Sequence, residues 1–372
     1  MIIVIADDVT GAAEMAGVAL RNGLDVQFIT EISCDLPDTD VLVVATDTRS
    51  FSRQEAADTV RHIAGYLNEK RNISIFKKTD SVLRGHVMAE LETLATSLGY
   101  GSTILLPQNP SKGRIISNGR YYINGTPLHE TSFSYDPEFP ATTSRVEDIA
   151  AGSVSMPVSE VPQQNRVNIG DAADLEELRT QVDKVGKNCL VAGGADTFNL
   201  FLNRPDIKKK SSTDPVINTI NSGKTLVICG STQSKSLISM PYFQRCSSAE
   251  EGMPLDVFHG SPADKWLDEL CRSYAEHQSL IIKIGHEATG GKEYAVRLRN
   301  LMSAATATLI NTEKPRLLVI EGGATAFAVL KALQWNVFKV KKELSPGVVC
   351  LTYEDTDIIL KPGSYPWGCM FE

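Results

Sequence analysis

Three stretches of this 372-residue chain set acids and bases directly after short apolar runs: ADDVTG (6–11) after IIVIA, ATDTRS (45–50) after VLVVA, and KKTDSVLRG (77–85) after ISIF. If the runs are strands of one parallel sheet, the clusters emerge along one edge, where open α/β sheets place their ligands. Asp7, Asp8, Asp47, Arg49, Lys77, Lys78, Asp80 and Arg84 would then meet in one crevice. Arginine pairs with a carboxylate through two parallel hydrogen bonds, and aspartate can orient or deprotonate a hydroxyl, so the mixture suits a small polyhydroxy acid.

Strand ends in the second half carry a different chemistry: Gly230 and Ser231, Gly285, Gly322 and Gly323 with Thr325, and Gly363 with Ser364. Glycines let backbone N–H groups approach phosphate oxygens, and a helix starting just after them adds a favourable dipole. His259, beside Gly260 and Ser261, stands near this group in the sequence pattern. GHEATGGKE (285–293) is not a P-loop, because Gly291 occupies the lysine position and no Ser or Thr follows. No G-x-G-x-x-G follows a strand, and neither H-E-x-x-H nor G-x-S-x-G occurs. The six histidines show no metal-ligand spacing, so no protein-built metal site is expected.

The elements that must position these residues alternate between short apolar runs and helical patterns, the signature of βαβ units on mostly parallel sheets. IIVIA, VLVVA, ISIF, STILL and CLVAG are the expected strands of the first half, and TLVICGS, LDVF, SLIIKIG, RLLVIEGG, VVCLTY and DIILKPG those of the second. Thr10 is expected to cap the first helix and Gly23 to end it; Ser52 with Glu55 forms a capping box, and Gly99 stops a helix whose Val87, Leu91 and Leu94 face the core. Between 107 and 165 the alternation breaks down, and YYI-NG-TPL reads as a β-hairpin with a type I′ turn. RPDIKKKSSTDPVINTINSGK (204–224) suits a linker, dividing the chain into domains 1–210 and 211–372.

A formal net charge of −8 argues against a nucleic-acid binder, since a phosphate backbone rewards a basic surface. Seven scattered cysteines without a C-x-x-C pair indicate neither a disulfide framework nor a zinc site. No long apolar run suggests a membrane span or a secretory leader, so a cytoplasmic protein is expected.

IADDVTGAAE, KKTDSVLRGHVMAELE, YINGTPLHET, ICGST, EGGATAFAVLKAL and LKPGSYPW stand in the same order as in the four-carbon acid sugar kinases, which the chain resembles over nearly its whole length. The resemblance implies a sugar-acid-binding N-terminal domain and an ATP-binding C-terminal domain, each a mostly parallel α/β sheet flanked by helices. It implies transfer of the γ-phosphate of ATP, with Mg²⁺, to the terminal hydroxyl of D-threonate, D-erythronate or 3-oxo-tetronate. Asp7, Thr10, Gly11, Arg49, Lys78, Ser81, Arg84 and Gly85 would line the substrate site, with Asp8 or Asp80 as proton acceptor and the carboxylate held by Arg84 with Arg49 or Lys78. Gly230, Ser231, Gly322, Gly323, Thr325 and Gly363 would face the nucleotide, and the strand-end pattern adds His259, Gly285 and Ser364 to them. The expected partners are a small acid sugar and ATP, with no nucleic acid and no membrane, in an assembly compatible with a homodimer. Two departures stand out: Ala324 where many members carry Glu, and KPGSYPWG where many end in S-G-N-F-G. Two alternatives are a non-catalytic two-lobed sugar-acid receptor and a haloacid-dehalogenase-like phosphatase. The latter wants acids two residues apart, whereas Asp7 and Asp8 are adjacent.

Overall fold

A computed structural model describes the chain except residues 34, 71, 137, 206, 208–222, 232, 233, 235, 287–290, 364–366, 368, 369 and 372. Most of the expected linker, and Ser364, lie outside the described residues. The chain divides into two compact units, residues 1–27 with 31–212 and residues 28–30 with 213–372.

In the first unit, strand β1 (Ile2–Ala6) is buried throughout and pairs in parallel with β3 (Val41–Ala45) on one side and β4 (Ser74–Lys78) on the other. Strand β2 (Val26–Ile29), whose last two residues fall in the second unit, precedes β3 in the chain. Beyond β4 come β11 (Cys189–Gly193), β5 (Ser102–Leu106), β10 (Val167–Gly170) and β9 (Val154–Met156), all parallel. Continuous apolar runs such as VLVVA fit this arrangement, because a parallel strand is covered on both faces and needs no polar alternation. The hairpin between β7 (Arg120–Ile123) and β8 (Thr126–Pro127) turns through Asn124 (φ 49°) and Gly125 (φ 81°), the two left-handed positions of a type I′ turn. Strand β6 (Arg114–Ser117) completes a small antiparallel sheet with it.

Helix α1 (Val9–Arg21) is capped by Asp8 and not by Thr10: Asp8 Oδ1 accepts from the Gly11 N–H at 2.7 Å, and the Thr10 hydroxyl donates to Asp8 Oδ2 at 2.9 Å. The carboxylate reaches two donors of the first turn, so it takes the cap that Thr10, one residue inside the turn, cannot fill. The capping box of Ser52 and Glu55 opens α2 (Arg53–Asn68), and left-handed Gly99 (φ 72°) closes α3 (Val87–Leu98). Short α4 (Val146–Ile149), then α5 (Leu175–Asp183) and α6 (Ala195–Leu202), complete the unit.

In the second unit, β12 (Thr225–Cys229), β14 (Ser279–Lys283), β15 (Leu317–Glu321) and β18 (Thr356–Lys361) form a parallel sheet, extended by antiparallel β17 (Val348–Tyr353) and β16 (Val337–Ser345). Strand β13 (Ser248–Gly252) pairs with β14. Val227, Ile281, Val319, Cys350 and Ile359 from these strands pack with Phe243 of α7 (Pro241–Gln244) in one core. LDVF, expected as a strand, is helical within α8 (Leu255–His259). Pro254 precedes it, left-handed Gly260 ends it, and Val257 and Phe258 are buried while Leu255 is exposed. Strand alternation would instead have put Leu255 and Val257 on one face. Helices α9 (Asp264–Glu276), α10 (Lys292–Thr312) and α11 (Gly323–Ala332) flank the sheet. No helix among the described residues is long and apolar enough to cross a membrane.

Candidate active site

Because β3, β1 and β4 are adjacent and parallel, the three polar clusters of the sequence leave the sheet on one edge. Arg49, in a short 3-10 turn after β3, ties them together. Its Nε and Nη2 donate to Asp7 Oδ2 at 3.0 and 2.9 Å, its Nη1 lies 2.9 Å from Asp8 Oδ2, and Nη2 lies 3.4 Å from Asp80 Oδ1. Gly85, with φ +90°, fits closely against this centre, where an added Cβ would stand 3.3 Å from Arg49 Cγ and 3.7 Å from Asp7 Oδ2.

The three acids differ in surroundings. Burial, reinforced by the charge of Asp8, pushes the Asp7 carboxyl above its ordinary range despite Arg49, and its Oδ1 is buried without a hydrogen-bond partner. Burial acts on Asp8 in the same direction, but Arg49 and Lys78 outweigh it and hold Asp8 below the usual carboxylate value. Its side chain is 17% exposed against 6% for Asp7 and Asp80, making it the most open of the three. Asp80, although buried, is held well below the usual range by Arg49 and by a two-point grip from Arg84, whose Nε and Nη2 donate at 3.1 and 2.8 Å. The Val82 and Arg84 N–H groups also donate to Asp80 Oδ2, each at 3.1 Å, so this carboxylate is saturated with donors.

Adjacent lysines part company because successive strand residues face opposite ways. Lys78 turns toward α1, with its Nζ donating to Thr79 O at 2.6 Å and lying 4.0 Å from Glu14 Oε2. Lys77 turns toward α3 and forms a fully buried ion pair with Glu90, 2.7 Å away, while the Thr48 hydroxyl donates to the other Glu90 oxygen at 2.6 Å. Lys77 thus braces the sheet beneath the site, and Glu90 and Thr48 with it. Asp47 is buried, in a left-handed conformation (φ 52°) ahead of the Arg49 turn.

The insert contributes residues that the sequence pattern did not single out. Asp136 accepts from Arg84 Nη1 at 3.0 Å, and Lys112 Nζ lies 2.5 Å from Glu14 Oε1. Arg114 of β6 donates to the Ser81 hydroxyl, and the Tyr121 hydroxyl donates to the Ser81 carbonyl. Arg84 and Arg114 both approach the Phe133 ring, 5.3 and 5.8 Å from its centre. In the sequence, only the break in strand–helix alternation between 107 and 165 marks this insert.

In the second unit, Gly230, Ser231, Gly322, Thr325 and Gly363 converge. A Cβ on Gly230 would lie 2.1 Å from Thr325 Oγ1, and one on Gly363 would lie 3.8 Å from Ser231 Cβ and 3.9 Å from Gly322 Cα. Gly322, with φ +100°, caps α11, whose first turn begins at Gly323 and holds Thr325. The N–H groups of Gly230 and Gly322 are spent on Glu321 O (3.1 Å) and Lys361 O (2.8 Å), whereas the first turn of α11 offers N–H groups without intrahelical partners. Beneath it, Lys361 and Glu321 form a buried pair at 2.8 Å. Gly285 follows β14 on the same sheet edge, one strand from Gly230. His259 is exposed, with its ring against Phe258, and shares no described contact with the converging group. Among the described residues no group of three or more His, Cys, Asp or Glu side chains could hold a metal ion. The acids of the first unit are already paired with arginines, which makes them poor ligands for a metal ion caged by protein.

Residues 2–201 match the family described as the sugar-binding N-terminal domain, and residues 268–365 match the nucleotide-binding C-terminal domain. The chain belongs to the four-carbon acid sugar kinase family. It is 23% identical to the D-threonate kinase of Salmonella typhimurium, covering 98% of this chain and 95% of that protein. It is 24% identical to the 3-oxo-tetronate kinase of Haemophilus influenzae, covering 100% and 98%. A D-erythronate kinase of Heliobacterium modesticaldum is 28% identical over 54% of this chain and 46% of its own length. Two solved structures share the fold: a Haemophilus influenzae protein (TM-score 0.72, 19% identity, covering 99% of this chain and 98% of that one) and a Salmonella typhimurium protein (0.75, 18%, 98% and 96%). These relatives support a kinase role in general.

Proposed function

We propose that this protein is an ATP-dependent kinase that phosphorylates the terminal hydroxyl of a four-carbon acid sugar of the threonate, erythronate or 3-oxo-tetronate type, in acid-sugar catabolism. The observation that carries this reading is the Arg49 bridge, in which a cation from the end of β3 gathers Asp7 and Asp8 from the end of β1 and Asp80 from the end of β4. Such a centre offers acceptors for the hydroxyls of a polyol beside donors for an anion. Asp8, ionised and the most open of the three, accepts the proton of the attacking hydroxyl. Asp80 serves as the anchor that aims Arg84 and Arg49, with Lys78 and the Thr10–Gly11 turn bordering the hydroxyls.

The nucleotide belongs to the second unit, with its phosphates at the α11 first turn and the glycines Gly230, Gly322 and Gly363 around it. Phosphoryl transfer depends mainly on positioning and charge neutralisation, and Mg²⁺ bound to the phosphates supplies part of the latter. Without the glutamate that many relatives carry at Ala324, the Thr325 hydroxyl and backbone N–H groups are what remain at that turn to meet the nucleotide.

The test is a purified-protein screen with ATP and Mg²⁺ against D-threonate, D-erythronate and 3-oxo-tetronate isomers, following ADP release. Acid-dependent ADP formation with one of them is expected. Tight binding of an acid sugar with no turnover would instead mark a receptor.

A further inference from the structure

We propose that Arg114, on the first strand of the inserted antiparallel sheet, is the residue that receives the carboxylate of the acid sugar. The inference rests on the acid-sugar reading above and moves the anion contact away from the two arginines that the strand-end motifs supply. Those two are already engaged. Arg49 spends Nε, Nη1 and Nη2 on Asp7, Asp8 and Asp80, and Arg84 spends the same three nitrogens on Asp80 and Asp136. A guanidinium whose forked edge is filled by protein carboxylates has no matching edge left for a ligand's.

The local charge points the same way. Among the described residues Asp7, Asp8, Glu14, Asp80 and Asp136 form ion pairs with Arg49, Lys78, Arg84 and Lys112, so without Arg114 the group carries more acids than bases and repels an anion. Arg114 makes no ion pair among the described residues. Its one side-chain hydrogen bond among the described residues goes to the neutral Ser81 hydroxyl, and it leans on the Phe133 ring. It is half-buried and held at the Asp80–Ser81 turn by its own strand, while the Tyr121 hydroxyl of the neighbouring strand grips the Ser81 carbonyl. Most of its five donors therefore remain for a carboxylate, one residue away from Asp80.

The experiment compares wild type, Arg114→Gln and Arg114→Lys as full-length proteins. Each is assayed with ATP and Mg²⁺ against D-threonate, D-erythronate and 3-oxo-tetronate, with the uncharged primary amide of whichever acid is turned over tested as a competing ligand. R114Q is expected to raise KM for the acid about 30-fold or more, with kcat within about threefold and KM for ATP unchanged, the size expected for a lost charge-assisted contact. Wild type should bind the amide about 30-fold more weakly than the acid, and R114Q should bind the two alike. R114K keeps the charge but loses the planar fork, so its KM should rise about tenfold; it carries the test if R114Q does not fold. An acid KM within threefold of wild type in R114Q, an unchanged KM in R114K, or acid-over-amide preference surviving in R114Q overturns the assignment. Absence of acid-sugar turnover and binding in wild type overturns the kinase reading itself, a separate result.

Discussion

A β-carbon on Gly11 would lie 2.4 Å from Asp8 Oδ1, the oxygen that caps helix α1. Glycine is required there by closeness to the capping carboxylate, since a helix otherwise favours alanine by about 1 kcal/mol. Gly11→Ala must turn Asp8 away from its cap, losing about 1 kcal/mol and misplacing the proposed proton acceptor. A lowered Tm together with lost turnover is expected; a raised Tm would mean that the cap tolerates the methyl group.

Asp8→Asn separates the cap from the chemistry. Asparagine caps helices about as well as aspartate, so the fold and the KM for ATP should stand, while turnover falls by about 10²- to 10⁴-fold. Near-normal kcat in steady-state assays would reassign the base.

Asp80 has a depressed pKa in the folded protein. Its contribution to stability is therefore fully present above its unfolded value, about 3.9, and is lost as pH falls below that toward the folded value. Acid unfolding followed by circular dichroism should show wild type losing stability relative to Asp80→Asn below about pH 4. Parallel curves for the two proteins would remove Asp80 from that role.

The Lys77–Glu90 pair is about 1% exposed at both partners. Removing one partner strands a buried charge, so Lys77→Met should cost about 3–5 kcal/mol in urea unfolding, and adding Glu90→Leu should recover much of it. Equal destabilisation by the single and double variants would contradict the pairing.

In the second unit, Gly230→Ala would drive a methyl group into Thr325 Oγ1, 2.1 Å away, and to 2.8 Å from Glu321 O. KM for ATP should rise at least about tenfold, with KM for the acid sugar little changed, the loss expected for a displaced polar contact. Thr325→Ala added to it should relieve only the side-chain clash. The reverse pattern, with acid binding hurt and ATP binding intact, would place the nucleotide elsewhere.

Much of this architecture was legible along the chain. Continuous apolar runs ending in polar clusters announced β1, β3 and β4 and the edge that they share, because buried parallel strands need apolar residues on both faces. Local chemistry announced the Ser52–Glu55 box and the Asn124–Gly125 turn. LDVF misled because a four-residue apolar run fits a strand and a helical turn equally. β13 was silent because Glu250 and Glu251 interrupt its apolar character; Glu250 instead accepts from Lys283 and from the Leu237 N–H.

The central strands β1, β3 and β4, the Asn124–Gly125 turn and the grouping of acids and bases were thus properties of the sequence, since each rests on neighbours within a few residues. Which lysine of the 77–78 pair enters the site, which arginines are already filled, and that Arg114 from a distant insert reaches Ser81 were decided only by the folded chain. Those outcomes depend on strand facing and on contacts tens of residues apart, and charge–charge distances across such separations do not exist until the sheet has formed.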